Sequence, residues 1–385
     1  MSIPIDREYA VETLKNLVRI NSINPELVPG AQGEVVIAEH IAGELTKLGL
    51  EPHIQELKPK RCNVVAVHKG RGGGRSLMLN GHMDTVGVEG MTNPFAAEIK
   101  DGKLYGRGAQ DMKGGLAAML AAFKALSDTG TQLKGDLIFT AVADEEHGSL
   151  GTEHIAKNYT ADAAVVTEPS GLEIGLAHRG FVVFEISTKG FATHGSLFQE
   201  GVDANMHMGR IMAELDNLSR ALLRGPKHPL VGPPSLHIPL VHGGQGLFIY
   251  SDKCTLSVER RTLPAETHEE VTKEMDSVLD KVRKEDSTVD VTLKEIIHRD
   301  GYEIEPDAEI VQILTETASH ILHSKPVYAG HQWWEDSAIL GDAGIATVIF
   351  GPKGAGAHSH EEWVDIQSVC DTAAILAETA IRFCD

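Results

Sequence analysis

Positive charge, cysteine and long apolar runs are all scarce in this chain of 385 residues. Its 35 lysines and arginines are outnumbered by 55 acidic residues, and the formal net charge of −20 argues against binding to nucleic acid or acidic membranes. The four cysteines have no CxxC spacing, and no apolar run approaches the roughly 18–20 residues that cross a bilayer. The amino-terminal segment carries acidic residues early, unlike a signal peptide. We therefore expect a cytoplasmic protein with no nucleic-acid or membrane partner.

Two patterns of secondary structure divide the chain. Apolar strand-like runs alternate with helical segments in the first half, which predicts an α/β fold with a mostly parallel sheet and helices on both faces. From about residue 179 the pattern becomes strand, helix, strand, strand, helix, strand, which is the βαββαβ order of a ferredoxin-like unit. The α/β pattern returns after about residue 300. The sequence therefore predicts a larger domain of residues 1–177 and 298–385, with residues 178–297 inserted as a smaller domain.

Acidic and histidine side chains follow the predicted strands of the larger domain. The stretch TAVADEEHGSLG places three acidic residues after a buried strand, where their charge needs something to hold it. Open α/β sheets bind ligands where the carboxyl ends of their strands meet. Two imidazoles and several carboxylates at one edge suit zinc or a similar ion, and the number of acids suits two ions with a bridging carboxylate. The candidates are His82, Asp84, Asp111, Glu145, Glu146, Glu168 and His358.

Each motif also has an ordinary structural interpretation. The His-x-Asp pair at 82–84 is usually part of a turn, and Glu145 and Glu146 could open the next helix beside its positive end. Glu168 could end a strand that faces water, and His358 could belong to a surface loop. Their occurrence in order, each after a predicted strand, makes coincidence a poor explanation.

Seven motifs together resemble one family of dizinc hydrolases over essentially the whole chain. That family contains acetylornithine deacetylase, succinyl-diaminopimelate desuccinylase, aminoacylase and carboxypeptidase G. The matching stretches are LNGHMDTV, DGKLYGRGAQDMKGG, ADEEHGSLGT, VVTEPS, KGFATHGS, VERRTLPAET and GAGAHSHEEWV. The resemblance implies that His82 and Glu168 bind one metal ion, that Glu146 and His358 bind the other, and that Asp111 bridges them.

The resemblance also implies roles for residues that are not ligands. Asp84 would orient a ligand histidine, and Glu145 would be the general base. His194, in the inserted lid domain, would stabilise the oxyanion across a homodimer built on the lids. We interpret Asp144 as structural support.

One ligand position is a choice between two neighbouring histidines. The family's ligand histidine is followed four positions later by a glutamate, and His358 with Glu362 meets that spacing. We therefore prefer His358 to His360 as the ligand.

Five residues are candidates for the substrate pocket. Several relatives carry an arginine where this chain has Ala338, so one carboxylate-binding group is missing. A tryptophan pair can line an apolar acyl pocket, although such a pair more often serves packing. The candidate pocket residues are His178, Arg179, Arg261, Trp333 and Trp334.

The family resemblance implies a metal-dependent amidohydrolase with two divalent ions, zinc or alternatively cobalt. Its expected substrates are N-acyl amino acids or related small N-acyl amines. A dipeptidase or carboxypeptidase with the same centre is the alternative. A binding protein that kept the fold and lost turnover is a third interpretation, which the intact ligand set disfavours.

Overall fold

The computed structural model describes residues 3–385, and these residues form two compact units. The larger unit contains the described residues up to Leu176 together with Ile304–Ala329 and Glu335–Asp385. The smaller unit contains Ala177–Glu303 and Gly330–Trp334.

These limits differ from the expected ones in three places: the smaller unit begins at residue 177 rather than 178, its main part ends at 303 rather than 297, and it includes residues 330–334. The smaller unit continues to residue 303 because its last long strand ends only at Arg299 and a short strand follows it. Residues 330–334 also belong to it, and the backbone N–H of Arg179 donates to the carbonyl of His331 at 3.2 Å. The sequence did not predict that residues 330–334 belong to the smaller unit, because their membership depends on contacts with residues distant along the chain.

Helices and strands alternate along most of the described chain. The helices are α1 (Arg7–Arg19), α2 (Val35–Lys47), α3 (Gly114–Asp128), α4 (Leu150–Asn158), α5 (Ala204–Arg224), α6 (His268–Glu285), α7 (Glu309–Leu322), α8 (Ser337–Asp342) and α9 (Ile366–Cys384). The strands of the first half are β1 (His53–Lys58), β2 (Arg61–His68), β3 (Leu77–His82), β4 (Glu98–Lys100), β5 (Lys103–Tyr105), β6 (Leu137–Val142), β7 (Ala163–Val166) and β8 (Ile174–His178). The later strands are β9 (Gly180–Lys189), β10 (Ser235–Gly243), β11 (Lys253–Thr262), β12 (Asp290–Arg299), β13 (Tyr302–Glu303), β14 (Tyr328–His331), β15 (Ala346–Ile349), β16 (Gly354–Ala355) and β17 (Trp363–Asp365).

The main sheet has the strand order β1-β2-β6-β3-β7-β15-β8-β13, with β14 beside β8. Its four central strands, β6, β3, β7 and β15, are parallel, as the alternating pattern predicts. The flanking pairs β1–β2, β2–β6, β15–β8 and β13–β8 are antiparallel, so the sheet as a whole is mixed. A separate small sheet joins β16, β17, β5 and β4.

Helices cover both faces of the main sheet, because successive side chains of its buried strands point in opposite directions. On one face, Gly81 of β3 lies so close to Leu116 of α3 that a Cβ atom would meet that side chain at 3.1 Å. On the other face, Met78 of the same strand packs in a cluster with Ile155 of α4 and Leu340 of α8. The predicted arrangement of helices on both faces is confirmed.

The smaller unit follows the predicted order β9-α5-β10-β11-α6-β12. Its sheet has the order β10-β11-β9-β12, and all its strand pairs are antiparallel, which is the ferredoxin-like topology. Strand β9 alternates buried and half-buried side chains, and its buried residues pack in one core with α5 and α6. Helix α6 begins with a capping box between Thr267 and Glu270.

The structure bears on two features that the sequence lacks, long apolar runs and paired cysteine motifs. Within residues 3–385, none of the helices is long and apolar enough to cross a membrane. All four cysteines are buried free thiols.

Candidate metal centre

Three neighbouring parallel strands deliver side chains to one edge of the main sheet. His82 is the last residue of β3, Glu145 and Glu146 follow β6, and Glu168 follows β7. The register pairs β3 with both β6 and β7 in parallel, so all three strands end at the same edge. These residues, which are distant in sequence, therefore lie close together at the edge where open α/β sheets bind ligands.

Asp111 lies in a kinked turn, Ala109–Lys113, that precedes α3, and its own backbone is not helical (φ −117°, ψ 96°). The buried carboxylate of Glu362 holds this turn: it accepts the backbone N–H groups of Gly108, Gln110 and Asp111 at 3.0, 2.9 and 3.0 Å. The guanidinium of Arg107 donates to the same carboxylate at 2.7 Å. Helix α3 begins at Gly114, directly after this turn.

His358 reaches the cluster from the loop after β16. Its Nε2 atom lies 2.9 Å from a carboxylate oxygen of Glu146 and 3.3 Å from Oδ2 of Asp111. The ring of His360 instead lies against Gly90. Of the two neighbouring histidines, the structure brings His358 to the acidic cluster.

The side chains form two groups of possible ligands that share Asp111. His82 Nε2 lies 3.0 Å from Oδ1 of Asp111 and 3.4 Å from Glu168, which makes the first group. Asp111, Glu146 and His358 make the second, and the donor atoms within each group lie within 4.8 Å of one another. Imidazole nitrogens with carboxylate oxygens are the donors that zinc and similar ions take. The residues present therefore fit two divalent cations with a shared carboxylate.

Glu145 lies beside these two groups and belongs to neither. Its Oε2 atom is 3.9 Å from Nε2 of His82. Its carboxylate is therefore close enough to act on a molecule held at the centre without being needed as a ligand.

Asp84 contacts both His82 and the segment that carries the two glutamates. The nearest acceptor to Nδ1 of His82 is the backbone carbonyl of Asp84 at 3.0 Å, whereas the carboxylate oxygen lies at 3.6 Å. The carboxylate accepts the backbone N–H groups of Glu145 and Glu146 at 3.2 and 3.3 Å, and the Asn24 amide at 2.8 Å. Asp84 thus supports the histidine through its main chain and the Glu145–Glu146 segment through its side chain.

Asp144 belongs to a buried network that the sequence did not reveal. Arg61 donates to both oxygens of Glu34, with a shortest distance of 2.7 Å, and lies 2.9 Å from Asp144. Asn24 accepts from Arg61 at 3.0 Å and donates to Asp144 at 3.0 Å. The one signal in the sequence is a charged residue, Arg61, that opens an apolar strand. Asp144 is therefore a paired structural carboxylate next to the two glutamates.

The pKa shifts of the cluster indicate an excess of carboxylates at a buried site. Burial raises the pKa of Glu145 and of Glu168 well above the usual range, and raises that of Glu146 to about 7. Burial lowers the pKa of His82, but the surrounding carboxylates, Glu168 first, outweigh it and hold that pKa well above its usual value. Hydrogen bonds to Asp111 and Glu146 raise the pKa of His358 to about 10. Such a cluster favours the binding of cations.

His194 belongs to the smaller unit and is exposed. Its segment pairs with the chain near Ile249, and the N–H of Gly195 donates to the carbonyl of Phe248 at 2.8 Å. The backbone N–H of Ser196 donates to Nδ1 of His194 at 3.2 Å. Because Nδ1 accepts, the neutral ring carries its proton on Nε2.

The five candidate pocket residues all belong to the smaller unit. His178 is buried, its Nδ1 lies 3.0 Å from the carbonyl of Arg179, and its ring meets Trp334 edge to face. Arg179 is also buried and donates to the carbonyl of Val231. Trp334 donates to the carbonyl of Asp300 at 3.1 Å. All three side chains make contacts within the smaller unit.

Arg261 and Trp333 are more accessible. Arg261 lies over the ring of Phe181 and pairs with Glu259 at 2.5 Å. Trp333 is half exposed and stacks on His331 with 4.6 Å between ring centroids.

The fold is a mixed α/β sheet with a ferredoxin-like insertion. Two histidine–carboxylate groups share an aspartate where the strands of that sheet end. This combination is typical of metallohydrolases. The chain belongs to Peptidase family M20/M25/M40, whose family model matches residues 78–382. It is therefore a metallohydrolase that acts on amide or peptide bonds, and the resemblance indicated by the motifs is confirmed.

Curated relatives with similar sequences include deacylating enzymes. The chain is 30% identical to an N-formyl-4-amino-5-aminomethyl-2-methylpyrimidine deformylase of Halalkalibacterium halodurans, over 97% of this chain and 95% of that protein. It is 28% identical to an acetylornithine deacetylase of Myxococcus xanthus, over 84% of this chain and 85% of that protein. Among solved structures, the aminopeptidase PepT of Bacillus cereus has the same fold, with a TM-score of 0.81, 19% identity, and coverage of 99% of this chain and 100% of that one.

Proposed function

We propose that this protein removes the acyl group from N-acyl amino acids or related small N-acyl amines. The observation that carries the proposal is the pair of ligand groups that share Asp111, with the carboxylate of Glu145 beside them. Deformylase and deacetylase activities among the relatives support a short acyl group on an amine nitrogen.

The chain's own side chains would hold two divalent cations, with zinc as the expected metal and cobalt as the alternative. His82 and Glu168 would hold one ion, Glu146 and His358 the other, and Asp111 would be shared by both. When bound, such a pair of ions polarises an amide carbonyl and lowers the pKa of a bound water.

Glu145 is the proposed general base. Its carboxylate accepts a proton from the attacking water and passes that proton to the departing amine nitrogen. The backbone hydrogen bonds from Glu145 and Glu146 to Asp84 keep the base and the neighbouring ligand in a fixed relation. Two adjacent glutamates can therefore perform different tasks.

His194 is the proposed oxyanion donor. Its Nδ1 atom is engaged by the N–H of Ser196, which leaves the Nε2–H as a hydrogen-bond donor. A donor must come within about 3 Å of the oxygen on which negative charge develops. We propose that the His194 of one subunit serves the metal centre of the other.

A homodimer built on the smaller units would provide that arrangement. Exposed apolar side chains surround His194 on the two chain segments that pair beside it. They are Phe191, Leu197, Phe198, Leu247, Phe248 and Ile249. Apolar side chains concentrated around one proposed catalytic residue support a self-association surface.

Subunit complementation tests the trans arrangement. A His194→Ala chain and a Glu145→Gln chain are each expected to be nearly inactive, whereas their mixed dimer holds one site with both residues intact. Mixing the two should recover part of the activity. Absence of recovery, with subunit exchange demonstrated by mass spectrometry of tagged chains, would contradict the trans role of His194.

Substrate class is tested by an amine-release screen. Metal-free protein is reloaded with Zn²⁺ or Co²⁺ and offered N-formyl, N-acetyl and longer N-acyl amino acids beside a set of dipeptides. We expect turnover of N-acyl amino acids to exceed that of dipeptides. The reverse order would favour the dipeptidase or carboxypeptidase alternative, and no turnover with two ions bound would favour a binding protein.

Two of the predicted pocket residues remain candidates for substrate contact. Arg261 and Trp333 retain accessible groups, whereas His178 and Arg179 are buried and Trp334 is half-buried. Arg261→Gln should raise KM for substrates with a free carboxylate more than for neutral N-acyl amines. Equal effects on both substrate types would exclude a charge-specific contact.

We propose a cytoplasmic location. Four buried unpaired thiols are typical of proteins in a reducing compartment. Cell fractionation against a cytoplasmic marker enzyme tests this location.

A further inference from the structure

A second kind of histidine–carboxylate cluster lies in the smaller unit. His268 is the first residue of α6, and Glu295 and His298 belong to β12. One oxygen of Glu295 contacts Nε2 of His268, and the other lies 3.1 Å from Nδ1 of His298. The two imidazole rings stack with 4.2 Å between centroids and 20° between planes. Two imidazoles thus meet at one carboxylate.

An irregularity in β12 creates this arrangement. Residues three apart on a regular strand point to opposite faces of the sheet. In β12 the register shifts between Glu295 and Ile297, so that Glu295 pairs with Phe184 and His298 with Val182. Those partners are two residues apart on β9 and share its buried face. The extra residue therefore turns Glu295 and His298 to the same face, as a β-bulge does.

The start of α6 supplies the third donor from the helix layer above that face. The capping box between Thr267 and Glu270 begins the helix at His268. The Oγ1 of Thr272, one turn later, lies 3.5 Å from Nε2 of His268. The first turn of the helix thus has a defined structure, and His268 is directed towards β12.

We propose that His268, Glu295 and His298 form a further metal site, separate from the catalytic centre, for a borderline divalent ion such as Zn²⁺. The candidate donor atoms lie within 4.8 Å of one another, and two imidazoles with one carboxylate are a donor set that zinc accepts. The histidine side chains are 39% and 40% exposed, so an ion can enter from solvent. A bound ion cross-links the start of α6 to β12 and stabilises the smaller unit.

Zinc titration of the whole protein tests the site. Native protein and a His268→Ala/His298→Ala variant are first loaded at the catalytic centre and then titrated with Zn²⁺ by equilibrium dialysis and calorimetry. Native protein should bind one more equivalent per chain than the variant. His237→Ala is the matched control, because His237 faces a single carboxylate, Glu259, at 3.2 Å on the same sheet.

A conservative variant keeps the test independent of folding defects. Glu295→Gln preserves the size of the side chain, removes its charge, and replaces one acceptor oxygen with an NH2 donor. It should weaken the extra zinc site at least tenfold while hydrolysis by the loaded enzyme stays at the native rate. Equal zinc stoichiometry and affinity in native protein and both variants would overturn the proposal, and loss of the extra equivalent in His237→Ala would do so as well.

Discussion

Arg61 is the buried cation on which the support of the metal centre depends, and its replacement is the most informative perturbation. Its guanidinium is 2% exposed and contacts the carboxylates of Glu34 and Asp144 together with the Asn24 amide. Arg61→Met keeps much of the side-chain volume and removes all of those polar contacts. Two buried carboxylates then lose their cation, with Asp84 close by at 4.0 Å from the same guanidinium.

The expected loss of stability is large. Removal of one partner from a buried ion pair costs about 3–5 kcal/mol, because the remaining charge is left without compensation. For a unit of roughly 250 residues, each kcal/mol shifts the melting temperature by about 2–4 °C, so Arg61→Met should lower it by ~6–20 °C. Arg61→Lys keeps the charge but cannot reproduce the paired hydrogen bonds to Glu34. Its melting temperature should lie between those of the native protein and Arg61→Met.

Thermal unfolding followed by circular dichroism measures this effect, and Arg382→Met is the matched control. Arg382 makes its ion pairs with Glu316 and Glu378 while 39% exposed, and such surface pairs contribute only about 0–1 kcal/mol. The reasoning is refuted if Arg61→Met and Arg382→Met lower the melting temperature equally. It is also refuted if Arg61→Met is as stable as the native protein.

Three further predictions concern the centre and its packing. Glu145→Gln should retain both metal ions and reduce kcat by about 10²–10⁴, because it removes a proton acceptor and no ligand. Glu146→Gln should also lower the metal content. Equal metal loss in the two variants, measured by elemental analysis, would reverse the two assignments. Chelation should abolish hydrolysis, and Zn²⁺ or Co²⁺ should restore it with about two ions per chain, while full activity without metal would contradict the mechanism. Gly115→Ala should destabilise the protein by about 1–3 kcal/mol in urea unfolding, because its Cβ atom would meet the carbonyl of Thr167 at 2.2 Å. Gly209→Ala, on an open helix face with no atom within 4 Å, should be neutral or stabilising, and similar losses in both glycine variants would exclude the steric cause.

The ligand candidates could be found from the sequence because their positions follow a local rule. His82, Glu146 and Glu168 each come at or just after the end of an apolar strand, and parallel strands end at a common edge. His358 was a choice between two histidines on a glycine-rich loop, and family spacing rather than physical chemistry favoured it. The metal-binding roles themselves stay predictions until metal content is measured.

Other features had no local signature. Arg61 and Glu34 are 27 residues apart, and Asn24 and Asp144 are 120 apart, so no periodicity connects them. The family resemblance implied that Asp84 orients His82, and that role stays a prediction. The hydrogen bonds that the Asp84 carboxylate accepts from the backbone of Glu145 and Glu146 had no signal in the sequence.

The sequence by itself determined the α/β class, the ferredoxin-like insertion and the positions of the candidate ligands, since apolar periodicity and strand-end residues are local properties of the chain. Tertiary structure alone decided which charges pair in the interior and which side chains share a face. A buried carboxylate is stabilised only when a distant cation is brought to it, and Arg61 provides that cation for Asp144. A single extra residue in β12 places Glu295 and His298 on one face, and only the pairing with β9 shows where that residue lies.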